Sequence, residues 1–452
     1  MPLTIDLRTS GDGTFSIEDD GIAGNGTSRV LGPSGNIVTT FAHPTDSLTI
    51  LTRTGQSIDV NITDSLTTAN VTIGSLVNAN ANPDSINVGN ILTSGIVSLA
   101  ANESISELGD DAATDIVAGT LLLKAGTGIG DGNAIETQVG TLEAESARGG
   151  IALSNIGNLQ IGGGSTTLRG LFSEISGDVV LTNQGSIVLS DATGAESVHS
   201  AGNVTLTAIG LTSDISGNVN RDALSAVDNI VLTAGRDVSF GTGGFGNDVH
   251  AGGGVTIHAG RDFNIADGAD LAADFLFQDD EGGVSITTGR DINVANGASV
   301  RVATGGGTVV LTTGIGGALR LLAGSGLPAV SSREGGVVIN ADRLTVDTNS
   351  GVSAVNGGTV TISTASAGRA VNLGSASDGA TALELSDAEL DRINAGTVIV
   401  GGAATGDVAV VGPLTPSAAN LVVRSGSNVV RPSPSNRLAS TRAPSTSALC
   451  AG

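Results

Sequence analysis

The sequence has no tryptophan and no tyrosine, and only eight phenylalanines among 452 residues. Its core therefore cannot depend on the large rings that usually supply much of the buried area, and Val, Ile, Leu and Ala must fill it. The single cysteine, Cys450, excludes an internal disulfide and the familiar cysteine-based zinc sites. Basic residues are also scarce, 20 against 44 acidic ones, and the net charge of −24 argues against a nucleic-acid partner.

Long apolar runs are missing as well. The best candidate for a membrane span, residues 395–412, is interrupted by three glycines and Asp407, so we expect no membrane insertion by this chain. The first residues, Met1 to Arg8, lack the basic and apolar segments of a signal peptide, and we expect no export from the chain's own sequence. The positive mean hydropathy of +0.24 nevertheless predicts a folded chain.

Glycine is abundant, with 68 residues, and a repeat explains its placement. In the copy that begins at Val255, Ile257 and Ala259 alternate with polar residues, as do Phe263 and Ile265 after Gly260. A positive φ at Gly260 would let the chain turn between two strands. The interval from Val204 to Val360 holds six repeats that average 26 residues. The apolar runs of these copies begin at Val204, Ile230, Val255, Val284, Val309, Val337 and Val360.

A unit of this length cannot offset its own ordering entropy, because it offers only about six apolar side chains at ~1.5–3 kcal/mol each. The copies must therefore stack. We predict an all-β fold, a right-handed parallel β-helix (β-solenoid) with about 26-residue repeats, in which Val255 lies against Val284 of the next coil. A β-propeller needs longer blades with aromatic signatures, and an antiparallel sandwich gives no reason for one fixed period.

The sequence divides into three parts. Residues 1–60 are expected to form an irregular N-terminal β segment, residues 61–430 the solenoid repeats, and residues 431–452 a disordered tail rich in Pro and Ser. One segment of the repeats, residues 386–394, predicts a short helix instead. Ser386 is its expected N-cap, Glu389 closes a capping box, and Asn394 supplies a stop.

Three repeats carry a Gly-Arg-Asp corner, which is the main candidate surface feature. Stacked corners could form a ligand-binding ladder on an exposed edge. We favour the simpler interpretation, a solvated turn with a local ion pair worth about 0–1 kcal/mol. The residues concerned are Arg236 and Asp237, Arg261 and Asp262, and Arg290 and Asp291.

Other candidates are weaker. Residues 243–248 match most of a calcium-binding nonapeptide and make Asp248 a calcium candidate, but the motif stands alone. The four histidines have no metal-ligand spacing, and His258 is expected to face solvent. Paired acids lie in Gly-rich loops far apart in sequence, so we expect no catalytic pair, no cofactor and no enzyme. These acids are Asp19 with Asp20, Asp110 with Asp111, and Asp279, Asp280 and Glu281.

The Gly-Arg-Asp units, residues 128–157 and residues 385–402 resemble the repetitive bacterial surface proteins described as filamentous-haemagglutinin-like or autotransporter-type adhesins. The resemblance covers roughly residues 60–425. It implies a non-catalytic structural or adhesive rod at the cell surface, at the outer membrane or secreted, with a glycan or protein of a host or neighbouring cell as partner.

The chain departs from that family because the Asn-Pro-Asn-Gly-type motif of its secretion domain is missing. We therefore expect a fragment of a longer passenger. Two alternatives stay open: a β-helix enzyme that degrades polysaccharide, as a lyase or glycoside hydrolase, and a calcium-stabilised solenoid.

Overall fold

A computed structural model describes residues 1–452 except 110, 191–195, 218–222, 242–248, 267, 274–281, 323, 325–327, 376, 378 and 431–452. The predicted disordered tail, Cys450 and Asp248 thus lie outside the described residues. Within the described part, regular structure is nearly all β-strand, with a 3-10 helix at Ala79–Ala81 and one α-helix, α1, at Asp387–Leu390. Neither helix is long and apolar enough to cross a membrane.

The strands are short, and several of them follow one another within each repeat. The first are β1 (Leu3–Asp6), β2 (Gly13–Asp19), β3 (Thr27–Leu31), β4 (Ile37–Ala42), β5 (Ser47–Leu51), β6 (Gln56–Ile62), β7 (Asn70–Ile73), β8 (Ile86–Leu92), β9 (Ile96–Ala100), β10 (Ser104–Glu107), β11 (Ile116–Ala125), β12 (Gly128–Ile129), β13 (Ile135–Ser146), β14 (Ile151–Ile156) and β15 (Leu159–Ile161). The next are β16 (Leu171–Ser173), β17 (Val179–Gln184), β18 (Ile187–Leu189), β19 (Val198–Ser200), β20 (Val204–Ile209), β21 (Ile215–Gly217), β22 (Leu224–Ala226), β23 (Ile230–Ala234), β24 (Val238–Phe240), β25 (Val249–Ala251), β26 (Val255–Ala259), β27 (Phe263–Ile265), β28 (Asp270–Ala273), β29 (Val284–Thr288) and β30 (Ile292–Val294). The last are β31 (Ser299–Val302), β32 (Val309–Thr312), β33 (Ala318–Leu321), β34 (Val330–Ser332), β35 (Val337–Asn340), β36 (Arg343–Val346), β37 (Val352–Ser363), β38 (Ala370–Leu373), β39 (Ala382–Leu385), β40 (Ile393–Val400), β41 (Val408–Val410), β42 (Asn420–Val423) and β43 (Val429–Val430).

Most strands pair with a strand about one repeat away, almost always in parallel. β26 pairs with β29 so that Val255 lies opposite Val284, as the repeat predicts. Their inward side chains are buried, whereas His258 points outward and is exposed, also as predicted. Parallel strands stacked in coils of about 25 residues confirm the predicted parallel β-solenoid.

The chain forms two compact units. Unit 1 comprises Met1–Ser213 and Ala223–Ala226. In it β1 pairs with β5 and β2 with β6 in parallel, while β2, β3 and β4 form an antiparallel meander. Its interior at this end is apolar, with Leu7, Phe15 and Val30 fully buried.

Unit 2 comprises Asp214–Asp222 and Val227–Gly452. Its coils form three lines of parallel strands. β37 and β40 each contribute both to the first line and to a third line, which begins with β25, β28, β31 and β34. One line runs through β23, β26, β29, β32, β35, β37, β40 and β42. The second line runs through β21, β24, β27, β30, β33 and β36.

Glycine at the repeated corner serves close approach rather than a left-handed backbone. Gly260 does not have the positive φ that we expected. A Cβ atom on Gly260 would lie 2.1 Å from the carbonyl oxygen of Gly235, and one on Gly289 would lie 2.0 Å from that of Gly260. The corner is therefore restricted to glycine because successive coils touch backbone to backbone there.

The predicted helix begins as expected and ends earlier. The Ser386 hydroxyl accepts a hydrogen bond from the Glu389 N–H at 3.2 Å, and the Glu389 carboxylate accepts one from the Ser386 N–H at 3.0 Å, which confirms the capping box. The helix has four residues, however, and Asn394 lies in β40. The predicted stop is wrong because Ile393 pairs with Val352 of the preceding coil.

Candidate functional site

The Gly-Arg-Asp corners make ion pairs from one coil to the next. Arg261 donates from Nε to Oδ1 of Asp237 at 2.8 Å, and from Nη2 to the other oxygen. Its Nε lies farther, 3.4 Å, from the carboxylate of its own neighbour, Asp262. The expected local ion pair is thus present, but the shorter, bidentate pair is the one with the aspartate of the preceding coil, which the sequence did not predict. Two further pairs share this geometry, Arg236 with Asp214 and Arg290 with Asp262.

Each aspartate also accepts a hydrogen bond from the backbone of the following coil. The N–H of Asp262 donates to Asp237 Oδ1 at 3.1 Å, and the N–H of Asp291 donates to Asp262 Oδ1 at 3.1 Å. At the far end Asp291 accepts from the Ala318 N–H at 2.8 Å and from Arg320 Nη1 at 3.0 Å. We call this continuous series, from Asp214 to Arg320, the Asp–Arg ladder.

The electrostatics at the two ends of the ladder favour charged aspartates. The side chain of Asp262 is only 7% exposed, whereas that of Arg290 is 56% exposed. The hydrogen bonds from Arg236 lower the pKa of Asp214. Burial alone would raise the pKa of Asp291, but the bonds from Ala318 and Arg320 outweigh it and the pKa is lowered. Since four arginines face four aspartates, the ladder has no net charge to offer an ionic ligand and mainly ties coils together.

A second cluster consists of three acids in unit 1 that we did not predict as a site. Glu107 ends β10, Asp115 precedes β11, and Glu136 lies in β13. Carboxylate oxygens of the three lie within 4.8 Å of one another. The Glu136 N–H donates to Asp115 Oδ2 at 3.0 Å, and Asn133 Nδ2 donates to Glu107. We call these three residues the acid triad.

Asp115 is the chemically unusual member of the acid triad because it is 3% exposed. Burial, with the charges of Glu107, Glu136 and Asp111, raises its pKa to about 7, against the opposing effect of the Glu136 N–H. A carboxyl group that keeps its proton near neutral pH beside two other carboxylates can act as a general acid. Three carboxylate oxygens are equally a ligand set for a hard cation such as calcium.

An open cleft of about 500 Å³ is linked to the acid triad through one side chain, although none of the three acids lines it. Asn133, which donates to Glu107, is one of its lining residues. Its lining also includes two acids, Asp131 and Asp178, and the apolar residue Val180. Asn133 is therefore the contact between the cleft and the triad.

Of the predicted acids that the structure describes, Asp111 lies beside the acid triad, where its N–H donates to Glu107 Oε1 at 3.1 Å. Asp19 and Asp20 accept hydrogen bonds from the backbone of Gly21 and Ile22 in one turn. Asp111 accepts from the Ala113 N–H at 2.6 Å. Asp110, the acids at 279–281 and the calcium candidate Asp248 lie outside the described residues.

His199 forms a third cluster, again from neighbouring coils. Its Nδ1 lies 2.7 Å from Ser225 Oγ and 3.2 Å from a carboxylate oxygen of Glu196, and its ring stacks on Phe172 at 5.6 Å. Ser225 Oγ itself donates to Glu196 at 2.6 Å. The serine proton is thus directed to the carboxylate, and the imidazole does not bridge the two as it does in a hydrolase relay.

Comparisons with known proteins add no assignment to this geometry. No family model, characterised protein or solved structure matches the chain significantly. The adhesin resemblance stays a prediction from sequence, and the case for any function rests on the Asp–Arg ladder, the acid triad and the surfaces around them.

The acid triad was missed because its members are not adjacent in sequence. Pairing of β11 with β13 sets Ile116 opposite Thr137, which brings Asp115 beside Glu136. Each of these two acids stands next to an inward isoleucine, Ile116 or Ile135. Aligning the two isoleucines would have misplaced the acids by two residues, because Ile116 lies opposite Thr137, so the pair is found only from the strand register.

Proposed function

We propose that this chain is the non-catalytic rod of a bacterial surface or secreted adhesin-like protein. The observation that supports the proposal best is the Asp–Arg ladder. Its polar side chains recur once in each repeat and form ion pairs between neighbouring coils. Asp237 and Asp262 are mostly buried beneath the arginines that they bind. Repeated polar residues that brace a stack are what a spacer requires, because they resist separation of the coils.

The experiment is to locate the protein in the cells that produce it. Antibodies should detect it on intact cells or in the medium, and external protease should remove the surface signal while sparing a cytoplasmic marker. Signal confined to the cytoplasm would contradict the adhesin proposal.

A second candidate function, cleavage of a polysaccharide, is favoured by the acid triad. Asp115, with its pKa of about 7, would donate a proton to the leaving oxygen, and Glu107 or Glu136 would act as base or nucleophile. The neighbouring cleft, lined by Asp131 and Asp178, would hold the chain of sugars.

This candidate is tested with a panel of neutral and acidic polysaccharides. Cleavage requires release of reducing ends, and Asp115→Asn should lower the rate by about 10²-fold or more. Asp347→Asn, an exposed acid in unit 2, is the matched control and should retain the rate. If the parent protein releases nothing from any polysaccharide, or if Asp115→Asn keeps full activity, the catalytic candidate is wrong.

A further inference from the structure

One face of unit 2 carries no charged side chain. It consists of β23, β26, β29, β32, β35, residues 359–363 of β37, residues 397–400 of β40, and β42, and we call it the uncharged face. None of these segments contains Asp, Glu, Lys or Arg. In a chain with 64 such residues, an uninterrupted uncharged face across eight strands is a distinctive surface.

The face is regular because its strands pair in parallel and in register. The outward side chains form two rows along the stack, both composed of small or neutral residues that are partly or fully exposed. The first row is Val231, Thr256, Ser285, Val310, Val338, Thr361, Ile399 and Val422. The second row is Thr233, His258, Thr287, Thr312, Asn340 and Ser363.

Hydrogen bonds between neighbouring strands satisfy polar groups of the second row. Asn340 Nδ2 donates to Thr312 Oγ1 at 3.1 Å, and Ser363 Oγ donates to Asn340 Oδ1 at 2.5 Å. Polar groups satisfied within the row lose little when water leaves. The face is thus suited to contact with a flat, neutral surface.

A second copy of this chain is the partner that the charges favour. At a net charge of −24, two copies repel each other wherever acidic surfaces meet. Face-to-face contact through the uncharged face lets the sheets approach to about 10 Å without burying a charge. The second line of strands is different, because Arg320 and the Asp–Arg ladder lie along it.

We propose that the uncharged face is a self-association surface through which two copies pair about a two-fold axis. Eight strands about 4.8 Å apart span about 34 Å, and four residues per strand span about 13 Å. The flat projection is about 450 Å² per copy, or about 900 Å² for the pair, which is near the lower limit for a specific interface. The pair should therefore be reversible and depend on protein concentration.

The test is sedimentation velocity on the full chain over a hundredfold range of concentration, with reductant present because Cys450 could otherwise link two copies. We expect a monomer–dimer equilibrium that strengthens as salt screens the repulsion between copies. Val310 lies near the centre of the face. Val310→Glu should weaken the dimer about tenfold or more, because two like charges would meet near the two-fold axis. Val310→Lys should weaken it similarly.

Thr345→Glu is the matched control. Thr345 points outward from β36 on the second line of strands, opposite Arg320, and its substitution should leave the dimer constant unchanged. Unchanged circular dichroism of all three variants would show that folding is intact. A chain that stays monomeric at every concentration and salt, a dimer that Val310→Glu leaves unaltered, or a monomer retained by an insoluble neutral glycan through this face would each overturn the proposal.

Discussion

Replacing Asp115 by Asn should make the protein more stable at neutral and alkaline pH. Asp115 is 3% exposed, and its pKa is raised from 3.8 to about 7, mainly by burial. Above pH 7 the folded protein therefore holds a buried negative charge beside Glu107 and Glu136. An Asn side chain has nearly the same shape, can still accept the hydrogen bond from the Glu136 N–H, and carries no charge.

The direction follows from the protons bound in each state. Between pH 3.8 and about 7 folded Asp115 keeps its proton while unfolded Asp115 loses it, so the free energy of unfolding falls as the pH rises. The loss is complete above about pH 7. A shift of about three pKa units corresponds to about 4 kcal/mol, which is the upper limit of what Asn can restore. We expect the advantage of Asp115→Asn to grow by about 2–4 kcal/mol between pH 4 and pH 8.

Urea unfolding at a series of pH values, followed by circular dichroism, measures this difference. Asp347→Asn removes an exposed acid and controls for the change in net charge. A free-energy difference between parent and Asp115→Asn that stays constant from pH 4 to pH 8 would refute the buried-charge argument. A difference that shrinks as pH rises would mean that the ionised carboxylate is stabilised in the fold.

Three further predictions concern the stack itself. Gly289→Ala should lower the free energy of unfolding by about 3 kcal/mol, because the new Cβ would lie 2.0 Å from a carbonyl oxygen. Gly402→Ala is the control and should be neutral, because no atom lies within 4 Å of its Cβ position, and urea midpoints would compare the two variants. Asp262→Ala should cost about 1–3 kcal/mol, since the Asp291 N–H loses its acceptor, and faster hydrogen exchange at that amide would report the loss. Ser386→Ala removes an N-cap and should cost about 1 kcal/mol in the same urea assay.

The coil register could be predicted from sequence because the apolar positions determine it. Val255 and Val284 begin equivalent runs, and a slip of one residue would turn every buried side chain of a strand to the outside. The same pattern predicts that His258 is exposed. Inward packing and outward exposure are thus two consequences of one periodicity.

The role of Gly260 could not be predicted from the periodicity. A corner glycine can be needed for a positive φ or for the absence of a side chain, and both needs look alike in a sequence. The structure shows the second: the backbone of Gly260 lies against the carbonyl oxygen of Gly235. The distance between coils is what distinguishes a glycine needed for close approach from one needed for a positive φ.

The closer partner of Arg261 was missed for a related reason. Asp262 is its neighbour in sequence, but Asp237, 24 residues earlier, is one coil away and presents both carboxylate oxygens to the guanidinium. In a parallel stack, neighbouring coils are about 4.8 Å apart, so a residue one repeat away competes with the next residue in the chain. Ion pairs in such a repeat should therefore be sought first between copies.

The acid triad shows where that rule needs the structure. Asp115 and Glu136 are 21 residues apart and Glu107 lies only 8 residues before Asp115, so the average period of 26 aligns none of them. Their loops differ in length, while the strands beside them keep register, with Ile116 opposite Thr137. Strand positions thus follow from the repeat, but the register between β11 and β13, which sets Asp115 beside Glu136, comes only from the structure. The triad joins one loop acid, Asp115, to two strand acids, Glu107 and Glu136, so chemistry specific to this chain is to be sought where a loop meets the end of a strand.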